Sequence, residues 1–61
     1  MFKPGDVVII KGYCGILESL DLYMGDYETK YDITLRDRND PRIVIEMEDI
    51  THDEIFKNTG P

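Results

Sequence analysis

The sequence predicts a small all-β domain, a barrel of four to five antiparallel strands followed by a short C-terminal helical turn. Three observations predict it. Apolar and polar residues alternate at a period of two through Tyr31, Asp32, Ile33, Thr34, Leu35 and Arg36, and again around Ile43, Ile45 and Met47. The β-branched run Val7-Val8-Ile9-Ile10 is too short for a helix and suits a strand. Turn residues at Pro4-Gly5, Gly12, Gly15, Gly25 and Pro41 divide the chain into hairpin-length pieces.

Pro4-Gly5 is a turn dipeptide, because proline fixes φ at the first central position and glycine accepts a positive φ at the second. It leads into a first strand over residues 6–11. Residues 12–15 read as a loop with a glycine at each end. The second strand, 16–23, carries Ile16, Leu17, Leu20 and Leu22, a broken alternation that calls for a bulge near Glu18-Ser19. Met24-Gly25-Asp26 is the next turn, and the third strand spans 27–36. A polar loop over 37–41 ends at Pro41. The fourth strand, 42–48, points Ile43, Ile45 and Met47 inward and Glu46 and Glu48 outward. Thr51-His52-Asp53-Glu54 then matches a capping box, with Ile50 and Ile55 placed as a hydrophobic staple, so residues 52–57 read as helical. The domain covers residues 1–57, and 58–61 form a frayed tail.

The chain has 61 residues and a mass of 7.1 kDa. A domain this small buries only about 60% of its unfolded surface, which makes stability marginal. Cys14 is its one cysteine, so no disulfide helps, and one His with one Cys cannot close a tetrahedral zinc site. Stability must come from a well-packed core, from a second copy or from a partner. Curling into a barrel encloses one core and removes exposed edges. The expected inward set is Phe2, Val8, Ile10, Leu17, Leu20, Tyr31, Ile33, Leu35, Ile43, Ile45 and Ile50, and the SH3-like barrel is the architecture that holds it.

The order of folding residues at the N-terminus strengthens this reading. Gly5-Asp6, Val8 and Ile10, the glycine-flanked loop, then Gly15, Leu17 and Leu20 resemble the opening of SH3-like modules of the KOW type. The strand from Tyr31 to Leu35 and the ending Glu48-Asp49-Ile50 resemble those of SH3-like barrels, including the small photosystem subunit of that fold. The resemblance covers most of the chain and rests on positions that build the barrel. It implies the fold, and binding of RNA or of a protein partner.

Thirteen acids against seven Lys and Arg give a net charge of −6 and a pI near 4.4. The longest apolar run, at Val7-Val8-Ile9-Ile10, is far short of the roughly 20 residues that span a bilayer. The first six residues carry a charge and a turn where a signal peptide needs an apolar run. With one thiol, a reducing cytoplasmic setting fits, no membrane is involved, and the chain reads as a whole short gene product.

Chemistry at single residues is sparse. Asp37, Asn39 and Glu48 fall at calcium-loop spacings 1, 3 and 12, but an EF-hand needs glycine at position 6 and oxygen donors at 5 and 9, where Arg42, Pro41 and Ile45 stand. His52 and Cys14 are the only candidates for a base and a nucleophile, and they lie in separate segments. The sequence therefore points to no enzyme, no metal and no cofactor. Arg36, Arg38 and Arg42 cluster on one hairpin, with Tyr13 and Tyr27 in loops, which is the chemistry that holds single-stranded nucleic acid. Against it, the field of the whole molecule repels a polyanion. The densest feature is acidic: Glu46, Glu48, Asp49, Asp53 and Glu54 fall within nine residues. An outward strip of this kind either keeps an edge soluble or docks on a basic surface. If Val8 and Ile10 face the core, Val7 and Ile9 face outward and need a cover: the terminal segment with Ile55 and Phe56, a second copy, or another protein. The expected role is a non-catalytic protein-interaction module or accessory subunit, by analogy with small acidic phage-encoded proteins. Nucleic-acid binding through the arginine hairpin is the alternative.

Overall fold

The computed structural model describes residues 2–58. Its strands are β1 (Val7–Ile10), β2 (Tyr13–Met24), β3 (Thr29–Asp37), β4 (Val44–Thr51) and β5 (Ile55–Lys57), with a 3-10 turn at His52–Glu54. They form one antiparallel sheet in the order β4-β3-β2-β1-β5.

The turns follow local chemistry. Gly5 has φ 99, and the Asp6 amide donates to the Lys3 carbonyl at 3.2 Å, closing the expected Pro-Gly turn. The expected loop over 12–15 contracts to two residues. Lys11 (φ 50) and Gly12 (φ 85) are both left-handed, the conformation that lets a two-residue hairpin match strand twist, so β2 starts at Tyr13.

Two bulges switch which parity of residue points inward. On β2 the register shifts between Leu17 and Ser19, as expected, leaving Glu18 unmatched and bringing both Leu17 and Leu20 to the inner face. On β4 a second shift sets Glu48 and Asp49 opposite the single residue Asp32. That extra residue, with Asp49 at φ 56, turns Ile50 inward after Ile45 and Met47.

Val8, Ile10, Leu17, Ile33, Leu35 and Ile50 form the core, as expected, with Phe2, Leu20, Tyr31, Ile45 and Met47 packed half-buried around it. Three further expectations change. Ile43 is 46% exposed, because its amide closes the hairpin turn on the Asp40 carbonyl and the strand begins one residue later. The helical turn over 52–57 stops at Glu54. From Ile55 the chain is extended and pairs with β1, placing Ile55 opposite Ile10 in the core. Asn58 is not frayed, since its amide donates to the Val7 carbonyl at 2.8 Å. The rest of the expected tail, 59–61, lies outside the described residues.

A single flat sheet leaves its inner face wet. Here Val8, Ile10, Leu35 and Ile50 are 0% exposed, so the sheet curls onto itself. The curl stops short of a closed barrel. β4 and the three-residue β5 end the strand order without pairing with each other.

Candidate protein-docking surface

Strand register builds an acidic surface on the outer side of β2, β3 and β4. One row across the sheet is Ser19, Thr34 and Glu46; the next is Asp21 and Asp32, with Glu48 and Asp49 at the bulge. A shallow depression lined by Ser19, Asp21, Asp32, Thr34, Glu46 and Glu48 lies over this patch. Asp21 directly opposite Asp32 is a like-charge cross-strand pair, which destabilises an antiparallel sheet by up to about 1 kcal/mol. The local structure relieves only part of this. Asp32 accepts the Asp49 amide at 3.3 Å, and the Asp49 carboxylate accepts the Tyr23 hydroxyl. Asp21, Glu46 and Glu48 have no ion pair among the described residues.

Of the expected acidic strip, Glu46, Glu48 and Asp49 therefore converge, joined by Asp21 and Asp32. Asp53 is exposed on the 3-10 turn beyond them. Glu54 is committed elsewhere. It accepts the Thr51 amide at 3.0 Å and the Thr51 hydroxyl at 3.1 Å, closing the capping box, and its other oxygen lies 3.8 Å from the Lys11 ammonium. Those bonds, the backbone one first, hold its carboxyl below the ordinary 4.5.

The second expected surface is apolar. Val7 lies opposite Ile16, and Ile9 opposite both Cys14 and Phe56. The terminal segment does not cover Val7 and Ile9. β5 joins the sheet beside β1, so Phe56, 64% exposed, extends the same outer face next to Ile9, at 37%.

The arginine hairpin is largely occupied. Arg36 pairs with Glu18 and donates to the Pro41 carbonyl, and Arg42 binds Asp40 through two hydrogen bonds of 3.1 and 3.2 Å. Arg42 correspondingly draws the Asp40 carboxyl below its ordinary range. Arg38 is exposed. Tyr13 is near this hairpin, whose Arg38 amide donates to the Cys14 carbonyl, but Tyr27 sits at the opposite end of the nine-residue β3, roughly 30 Å away.

Asp37 accepts the Asn39 and Asp40 amides at 2.7 and 3.2 Å, so the loop suggestive of calcium is a carboxylate-capped turn. No group of three or more His, Cys, Asp or Glu among the described residues is arranged to hold a metal ion. His52 sits beside Phe2, with ring centroids 5.1 Å apart, and its Nδ1 is 3.4 Å from the Tyr31 hydroxyl. Cys14 is half-buried on β2. No helix among the described residues is long and apolar enough to cross a membrane. Comparison with protein-family models, curated proteins and solved structures gave no match.

Proposed function

We propose that this chain is a non-catalytic interaction module or accessory subunit of SH3-like, KOW-type architecture that docks on a basic protein surface. The contact is the acidic outer face of β2, β3 and β4, through Glu46, Glu48 and Asp49 with Asp21 and Asp32. The apolar face at Val7 and Ile9 supplies a second contact, to the same partner or to another copy. The curled antiparallel sheet and its terminal turn support the architectural part of the reading.

One observation carries the docking part: Asp21 stands directly opposite Asp32, beside Glu46 and Glu48, and none of these four carboxylates forms an ion pair among the described residues. A positive partner surface relieves that repulsion on binding and gains from the net charge of −6 over longer range. A polyanion meets the opposite field, and two of the three hairpin arginines are already held by carboxylates.

Immobilised protein, challenged with lysate from its own source, tests the reading. A defined protein retained at low salt should be released as salt rises and lost in the Glu46→Lys, Glu48→Lys double variant. Tight binding of single-stranded RNA or DNA, steeply salt-dependent and lost in Arg38→Ala, overturns it in favour of the arginine hairpin.

A further inference from the structure

We infer that β4 is a pairing edge for a partner strand in which basic and apolar residues alternate. This rests on the docking reading above and gives it a binding mode and a sequence pattern. The eight-residue β4 ends the strand order, and no strand pairs with its outer edge among the described residues. The direction of its free backbone groups follows from one bond. The Asp37 amide donates to the Ile43 carbonyl at 2.9 Å, so Asp37 and Ile43 form a hydrogen-bonded pair. Antiparallel pairs alternate, so Arg36–Val44 and Thr34–Glu46 are non-bonded pairs. The N–H and C=O groups of Val44 and Glu46 therefore point away from β3, toward an incoming strand.

The side chains beside that edge specify the guest. Glu46 and Glu48 project outward and are exposed, while Ile45 and Met47 turn inward yet stay only half-buried, since no neighbour covers them from the open side. A paired guest strand places alternate residues on the same two faces. Lys or Arg opposite Glu46 and Glu48 complements the acidic surface, and an apolar residue opposite Met47 covers the open flank of the core. The alternation holds for either strand direction. A second copy pairing β4 against β4 is disfavoured, because it brings the glutamates of two like edges together. β5 of another copy is also a poor fit, since Ile55, Phe56 and Lys57 present three residues with one cation.

Two peptides of identical composition test the inference on the full chain. One alternates lysine and valine over seven residues; the other carries the same residues with the lysines in one block. The alternating peptide should bind roughly tenfold more tightly. It should also slow hydrogen exchange at the Val44 and Glu46 amides, and an antiparallel guest should lose binding when the backbone amide of the lysine opposite Glu46 is N-methylated. Because these changes are made in the peptide, the protein's own folding is not disturbed. Equal binding of both peptides, without new protection at Val44 and Glu46, overturns strand addition while leaving charge-driven docking intact. Failure of both peptides overturns the inference too, while retention of a charge-dependent partner in the lysate experiment separately upholds docking.

Discussion

The outer surface of this one sheet has two halves built on different chemistry. Around β1, β5 and the start of β2 it is apolar, with Val7, Ile9, Cys14, Ile16 and Phe56 side by side. Across the rest of β2, β3 and β4 it is acidic, with Asp21, Asp32, Glu46, Glu48 and Asp49 in adjoining rows. Both halves cover the same inner core. The apolar half borders β5, a three-residue edge too short to template much pairing, while the acidic half borders the longer edge of β4. The longer edge is thus the one flanked by carboxylates, an arrangement that discourages indiscriminate strand pairing.

The two halves meet where β2 passes from β1 to β3, and the largest predicted effect lies at that seam. A Cβ on Gly15 would stand 2.7 Å from the Arg36 carbonyl oxygen, a backbone atom that cannot swing aside. Gly15→Ala should cost about 1–3 kcal/mol by overpacking, against a total of about 3–9 kcal/mol for a chain of this length. Urea denaturation reads it directly; an unchanged midpoint would show that the strands can part there without loss.

The next effect separates the halves. Ile9→Thr with Phe56→Ser removes an exposed cross-strand apolar pair, and should lower stability by about 1 kcal/mol or less while leaving any basic-peptide binding unchanged. If this face joins two copies, light scattering will show dissociation in the variant. A wild-type chain that stays monomeric at millimolar concentration would limit that face to contacts with another protein.

Much of this contrast can be read from the residues, because both halves rest on period-two alternation. Outward Val7, Ile9, Glu46 and Glu48 follow once Val8, Ile10, Ile45 and Met47 are set inward, and the first bulge follows from the parity change between Leu17 and Leu20. The second bulge leaves the same mark in the step from Met47 to Ile50, but it falls where a strand ending at Glu48 hides it. What sequence reasoning missed depends on partners distant in the chain. Ile55, Phe56 and Lys57 become a strand only through β1, and Asp21 meets Asp32 only through the register that the first bulge sets. The Lys11-Gly12 turn escaped because the first left-handed position of such a turn is usually Asn, Asp or Gly.

Charge neutralisation on the acidic half should raise stability slightly and weaken docking. Asp32→Asn keeps an oxygen for the Asp49 amide while ending the repulsion with Asp21. The expected gain is about 0.5 kcal/mol at low ionic strength, shrinking as salt is added. Thermal unfolding at two salt concentrations measures it. A loss of stability instead would mean that the Asp32 charge holds the bulge more than it burdens the row.

The smallest effect concerns the corner where β4 hands over to β5. Glu54 is held below its ordinary 4.5 by the Thr51 amide, then by the Thr51 hydroxyl, with Lys11 adding to both. A carboxyl whose value is lower in the folded state contributes stability that is complete above 4.5 and is lost as pH falls through the lowered value. Glu54→Gln retains an oxygen for the cap but cannot titrate. The melting temperature of the wild type should therefore exceed that of the variant by a small constant amount from pH 7 to 5, and the gap should close under stronger acid. A gap that persists unchanged to pH 2 would place the contribution of Glu54 in its shape and hydrogen bonding, with no part for its charge at the junction of the two halves.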